Sequence, residues 1–200
     1  MLQVGVLTSH EGSLLQSLIN DSRLEPVVFQ IGVVICNNCD ANALRRAQSS
    51  GIPAICINAK KFGTPERADR AIFTTLEKFR IDLVFLAGYL RPVGPATLGG
   101  FQGRILNSHP SLLPKHGGKG MFGSYVFQSI LETNDEASGV TIHHVDNKYD
   151  TGPTLAQEDF HFNRDQGVDA LICATKECEK ALVTRTIRNI AENGVIGPNV

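Results

Sequence analysis

Apolar positions along this chain switch between short continuous runs and helical spacing. Val4–Leu7 is short and apolar, and Gly12 to Ile19 follows with Leu14, Leu15, Leu18 and Ile19 at helix-like intervals. Val27–Cys36 is rich in β-branched residues, with an irregularity expected near Gly32. Asp40 is placed to cap a helix over Ala41–Ser49 that stops at Gly51. Ala54–Ile57 reads as a third strand. Thr64 and Pro65 then open a helix that runs to about Phe79. Asp82–Leu86 has the solidly apolar centre of a buried strand. Pro92 to Leu98 reads as a short helix or turn, and Arg104–Asn107 as a fifth strand. Strands alternating with helices predict a mostly parallel sheet covered on both faces.

The last third has a different rhythm. Pro110 to Lys119 is a loop rich in Pro, Gly and Lys, followed by a helix over Phe122–Glu132. Val140–Val145 and Leu155–Phe160 predict two strands able to pair antiparallel, with Asp146, Asp150 and Gly152 between them. A long helix from about Asp165 to Asn193 follows. There are no repeats, no low-complexity tract and no linker. The reading is one domain over 1–200, with an α/β half over 1–107 and a half of loops, antiparallel strands and helix over 108–200.

Composition narrows the function. Hydrophobic residues make up 42% of the 200 positions, enough for a sizeable core, and the formal net charge is -1. No lysine or arginine run suggests a nucleic-acid or membrane surface. Met1 leads straight into an apolar strand without a secretory leader, so the cytoplasm is the expected compartment. Small molecules are the expected partners, with the chain a monomer or homodimer. Five cysteines argue against a complete disulfide framework. Cys36 and Cys39 form a C-x-x-C, but no second ligand pair has matching spacing, and Cys173 and Cys178 are five apart. The two are read as small apolar residues at a strand end and a helix start, and no metal site is expected.

Three places could carry chemistry. Asn107 and His109 are two apart at a strand end, and Pro110 keeps His109 extended, so both side chains face one space. Open α/β sheets place ligands at such carboxyl ends of strands. An amide donor beside a protonatable imidazole suits a carbonyl oxygen that is gaining negative charge. Asp150, two residues before Gly152, could orient that imidazole or receive a proton, or could simply serve the turn. Gly12 and Ser13 open the first helix, where backbone N–H groups suit an anion. His143 and His144 are adjacent on a strand, so one is expected to face the site and the other to face away. His116 and His161 read as surface or loop residues, and His10 stays ambiguous at the end of the first strand.

The run Asn107-Ser108-His109-Pro110-Ser111-Leu112-Leu113-Pro114-Lys115 resembles the signature of the formyltransferase family that uses 10-formyltetrahydrofolate. The likeness continues in Gly88-Tyr89-Leu90-Arg91, Gly139-Val140-Thr141-Ile142-His143 and Asp150-Thr151-Gly152-Pro153, in family order. It is strongest to the branch that formylates glycinamide ribonucleotide. The resemblance implies a Rossmann-like formyltransferase fold, α/β and mostly parallel, with an antiparallel extension and a long C-terminal helix. It implies formyl transfer from the folate to the primary amine of glycinamide ribonucleotide during purine (IMP) synthesis, without a metal. Asn107, His109 and Asp150 would form the catalytic set. Gly12, Ser13 and Leu14 would hold the substrate phosphate, and Glu179 the ribose. Leu90, Arg91, Val93, Leu98, Asn107 and Asp146, with the backbone of residues 144–150, would hold the folate.

Departures from the family pattern lie mainly around the first helix. His10-Glu11-Gly12-Ser13-Leu14-Leu15 stands where the family has a Gly-Ser-Asn-Leu run, so Leu14 replaces an asparagine. Glu11 brings negative charge toward a site meant for an anion, and Lys180 stands where a histidine is common. Lys119 or Lys176 would have to compensate. These changes bear on the acceptor and leave the formyl chemistry intact. The alternatives are another amine acceptor, such as an amino sugar on a nucleotide, hydrolysis of the donor, or a module that binds without turnover.

Overall fold

The computed structural model describes residues 1–133 and 135–194. Its strands are β1 (Leu2–Thr8), β2 (Phe29–Cys36), β3 (Ala54–Cys56), β4 (Leu83–Leu86), β5 (Ile105–His109), β6 (Ala137–His144) and β7 (Thr154–His161). Its helices are α1 (Ser13–Asp21), α2 (Asn42–Ser49), α3 (Ala59–Phe62), α4 (Pro65–Lys78), α5 (Pro95–Gly100), α6 (Ser124–Glu132) and α7 (Gly167–Asn193). The strand order is β3-β2-β1-β4-β5-β6-β7. β1 pairs in parallel with β2 and β4, and β2 with β3, whereas β6 and β7 are antiparallel. This is the mostly parallel sheet with an antiparallel pair and a long last helix that the sequence pattern predicts. Two compact units divide the chain, Met1–Leu106 with the segment from Ile187 onward, and Asn107–Thr186.

In the first unit the strands are buried on both faces. Val4, Val6, Leu7, Val33, Val34, Ile35, Leu83, Val84 and Phe85 are all fully buried, as a parallel sheet under helices requires. The register moves from Val4 opposite Ile31 to Gly5 opposite Val33, so Gly32 is the extra residue of the expected bulge. Gly12 ends the β1–α1 turn in the left-handed region (φ 70°), and a Cβ there would lie 2.8 Å from that of Ala43. Both facts demand glycine.

Local caps set several boundaries. Thr64 Oγ1 accepts from the Arg67 N–H, as expected. Asp40 does not cap α2, whose N-cap is Ala41 without a side-chain bond. Instead the Asp40 N–H is turned back onto Asn38 Oδ1. The sequence reading missed α3, which Asn58 caps by accepting from Lys61 N–H at 2.8 Å. Asp69 on α4 serves as the cap of α5, accepting from Ala96 N–H at 2.8 Å and from Thr97 Oγ1 at 2.6 Å. Near the end of α7, Arg188 grips Asp21 of α1 through Nε at 2.9 Å.

The cysteine reading needs correction. Cys36 is buried and free, but Cys39 is bonded to Cys56, with Cα atoms 5.1 Å apart. The cause is topological. Parallel pairing sets Cys36 opposite Cys56, and the turn after β2 carries Cys39 back beside the same position.

In the second unit, Val126, Phe127 and Ile130 of α6 pack with Leu171 of α7. β6 is almost wholly buried, while exposure alternates along most of β7, as suits a strand at the edge of the sheet. Arg164 ties the α6–β6 turn together by donating to the carbonyls of Leu131, Thr133 and Asp135.

Candidate active site

The end of β5 sorts its side chains by parity. Ser108 faces one way and donates its hydroxyl to Glu179 on α7 at 2.5 Å. Asn107 and His109 face the other way, into a cluster with His143 and Asp150. His109 Nδ1 lies 3.5 Å from Asp150 Oδ2, and His143 Nε2 lies 3.5 Å from Asp150 Oδ1. Asn107 Nδ2 is 3.0 Å from His143 Nε2. All four residues belong to the second unit.

Each group is oriented by a neighbour. Nδ1 of His143 lies 2.9 Å from the His144 carbonyl, which requires a proton on Nδ1. Nε2 of His143 thus faces both the Asn107 amide and the Asp150 carboxylate, and holds the amide in place. On His109, Nε2 lies 2.8 Å from the His116 carbonyl, so Nε2 carries a proton and Nδ1 is the nitrogen that faces Asp150. The Gly118 N–H donates to Asp150 Oδ2 at 2.9 Å. Asp150 itself sits in the left-handed region at φ 56°.

Burial governs the titration. The His109 side chain is only 5% exposed. Burial lowers its pKa below the ordinary imidazole value, opposed without reversal by the Asp150 carboxylate and the His116 carbonyl. Burial alone would raise Asp150. The His143 hydrogen bond, the charge on His109 and the Gly118 N–H outweigh it, and Asp150 titrates below the usual carboxylate range. Burial raises the Glu179 carboxyl above its ordinary value, against the Ser108 hydroxyl and the charges of Lys176 and Lys180. A buried imidazole, a committed carboxylate and an aimed amide can together stabilise an oxyanion and move a proton.

The other residues singled out from sequence lie as follows. The N–H groups of Gly12, Ser13 and Leu14 open α1, and the Leu14 side chain is buried in the core. The Glu11 carboxylate accepts from Asn42 Nδ2 at 2.7 Å, which directs its charge onto α2. Leu90 and Arg91 are exposed, and Val93 and Leu98 are half-buried. Asp146 accepts from Lys148 N–H and Thr151 Oγ1, bracing the loop that ends at Asp150. His161 is exposed on β7. His116 lies in a loop, as expected, but its side chain is only 9% exposed and its ring is hydrogen-bonded. The His116 carbonyl and the Gly118 N–H were missed from sequence, because backbone groups of an irregular loop leave no residue-type signal.

Residues 2–187 match the model of the formyl transferase family. The chain belongs to that family. It is 34% identical over 156 residues to the phosphoribosylglycinamide formyltransferase of Escherichia coli, covering 78% of this chain and 71% of that protein. It is 30% identical to the trifunctional purine biosynthetic protein adenosine-3 of Gallus gallus, over 97% of this chain but only 19% of that longer protein. The solved structure of glycinamide ribonucleotide transformylase 1 from Symbiobacterium toebii superposes with a TM-score of 0.88 at 32% identity, covering 96% of this chain and 88% of that one. Within the formyl transferase match lie both the β5 end and the loop that carries Asp150.

Proposed function

We propose that this formyl transferase moves a formyl group from 10-formyltetrahydrofolate to the primary amine of glycinamide ribonucleotide, a step of purine synthesis. The observation that carries the reading is the Asp150 carboxylate set 3.5 Å from the His109 imidazole, with the Asn107 amide on the same side of β5. The names of the relatives support the choice of substrates. Cytoplasmic residence, and a monomer or homodimer, belong to the same proposal.

The amine nitrogen attacks the formyl carbon, and the carbonyl oxygen becomes an oxyanion. The Asn107 amide and the Nδ1 proton of His109 stabilise it. At 3.5 Å from Asp150 the Nδ1–H is not tied up in a close hydrogen bond, so it can turn toward the oxyanion while staying on the imidazolium. The carbonyl re-forms as the bond from carbon to N10 breaks. The amine loses one proton, N10 gains one, and Asp150 assists through water while holding the imidazolium. Gly12, Ser13 and Leu14 offer helix N-terminal N–H groups to a phosphate. Glu179 would accept from ribose hydroxyls. Leu90, Arg91, Val93, Leu98 and Asp146 serve the folate.

One observation favours a second reading. Leu14 is buried, so no side-chain donor stands where the family has asparagine. Another amine acceptor is the alternative. Mixing the protein with glycinamide ribonucleotide and 10-formyltetrahydrofolate and following release of the deformylated folate decides. The proposal expects stoichiometric formylation, lost in His109→Ala. No product above background contradicts it, and turnover only with another amine selects the alternative.

A further inference from the structure

The loop after β5 holds both members of the imidazole–carboxylate pair through its backbone. The His116 carbonyl receives Nε2–H of His109 at 2.8 Å, and the Gly118 N–H reaches Asp150 at 2.9 Å. Nothing in a strand ladder fixes these groups. His116 adopts φ 55°, a region that non-glycine residues seldom occupy, so its conformation has to be held from outside.

The hold comes from the His116 side chain. Nδ1 lies 2.8 Å from Ser129 Oγ on α6, and Nε2 lies 3.4 Å from Asp135 Oδ2 just before β6. Asp135 is itself fixed by Lys115 Nζ at 2.7 Å and by Thr133 Oγ1 at 3.2 Å. Ser111 Oγ donates to the Lys115 carbonyl at 2.7 Å, anchoring the residue before His116. The ring therefore bridges α6 and the α6–β6 turn, while its own carbonyl points at the catalytic pair.

We propose that His116 is a positioning residue for formyl transfer: its ring, clamped between Ser129 and Asp135, sets the backbone that selects the tautomer of His109 and places Asp150. The inference rests on the formyl-transfer reading. His116 touches no reacting atom in this scheme. Its carbonyl demands a proton on Nε2 of His109, so that only Nδ1, beside Asp150, gains and loses one. Without the clamp, the neutral ring would divide between two tautomers, and only the one protonated at Nε2 takes up its second proton at Nδ1, beside Asp150.

The test pairs His116→Asn with Ser129→Ala. Asparagine tolerates the left-handed backbone but is too short to reach Asp135. His116→Asn is expected to lower kcat about tenfold with both KM values within about twofold, as misplacement of a catalytic group does. Ser129→Ala, which leaves the loop sequence intact, is expected to lower kcat by a smaller factor and decides the matter if the first variant does not fold. Nitrogen-edited NMR of His109 in the ligand-free protein supplies a second readout. The parent should show one neutral tautomer, protonated at Nε2, and the variants a mixture. Parent-like kcat and a single Nε2 tautomer in both variants would overturn the proposal. A parent that forms no product contradicts the formyl-transfer reading instead, and the NMR comparison still judges the clamp.

Discussion

His109 has to be a cation where burial makes a cation costly. Its pKa is lowered by burial, with Asp150 and the His116 carbonyl opposing, so the productive form is abundant only below the ordinary imidazole range. The attacking amine must be neutral, and an α-amino group gives up its proton at about pH 7.7–8.0. The two requirements cross. The fraction with both groups correctly protonated rises with pH up to the His109 pKa, stays flat, and falls above the amine pKa. A profile of kcat/KM against pH should thus show its acid limb below about 6.5, and Asp150→Asn should move that limb lower still. An acid limb above the usual imidazole value would refute this assignment. At this scale the pairing of Asn107 with His109 was legible, because strand parity and Pro110 dictate it. That His143 would fix the Asn107 amide was only half legible. Adjacency said that one of His143 and His144 faces the site, and not which.

Elements place these residues, and the loop from Val145 to Pro153 is the most demanding of them. It returns the chain from β6 to β7 with Asp150 at positive φ, and it passes so close to β6 that a Cβ on Gly152 would lie 1.9 Å from the His144 carbonyl oxygen. No side-chain motion relieves a clash with backbone. Gly152→Ala should therefore shift the loop, carry Asp150 away from His109 and reduce kcat by about a hundredfold, while β6 and β7 stay paired. Activity assays with circular dichroism would check it, and parent-like kcat would contradict it. Long apolar periods made most elements legible. The errors came where short polar residues compete for the same N–H groups. Asp40 and Asn58 are equally good caps on paper, and the chain turns Asp40 aside onto Asn38 while Asn58 opens α3. The Cys39–Cys56 bond was invisible because it depends on which strands become neighbours.

For the whole molecule, the catalytic cluster carries a stability signature. The unfolded chain takes up a proton on His109 near about pH 6.5, before the folded protein does, so stability should fall as pH drops from that value toward the lowered folded pKa. Asp150 adds to the loss further down. Its contribution is complete above about pH 3.9 and disappears as pH falls through its depressed folded value. Melting temperature measured from neutral to mildly acidic pH should decline, and His109→Asn should flatten the decline. An unchanged slope in the variant would contradict the burial assignment. The central claim, however, is that Asp150 and His109 act as one unit on the reacting carbon. The most direct measurement is single-turnover formyl transfer from 10-formyltetrahydrofolate to glycinamide ribonucleotide by Asp150→Asn, alongside equilibrium binding of both substrates. The account predicts a rate lower by about 10²- to 10⁴-fold with binding preserved. A single-turnover rate within twofold of the parent would contradict it.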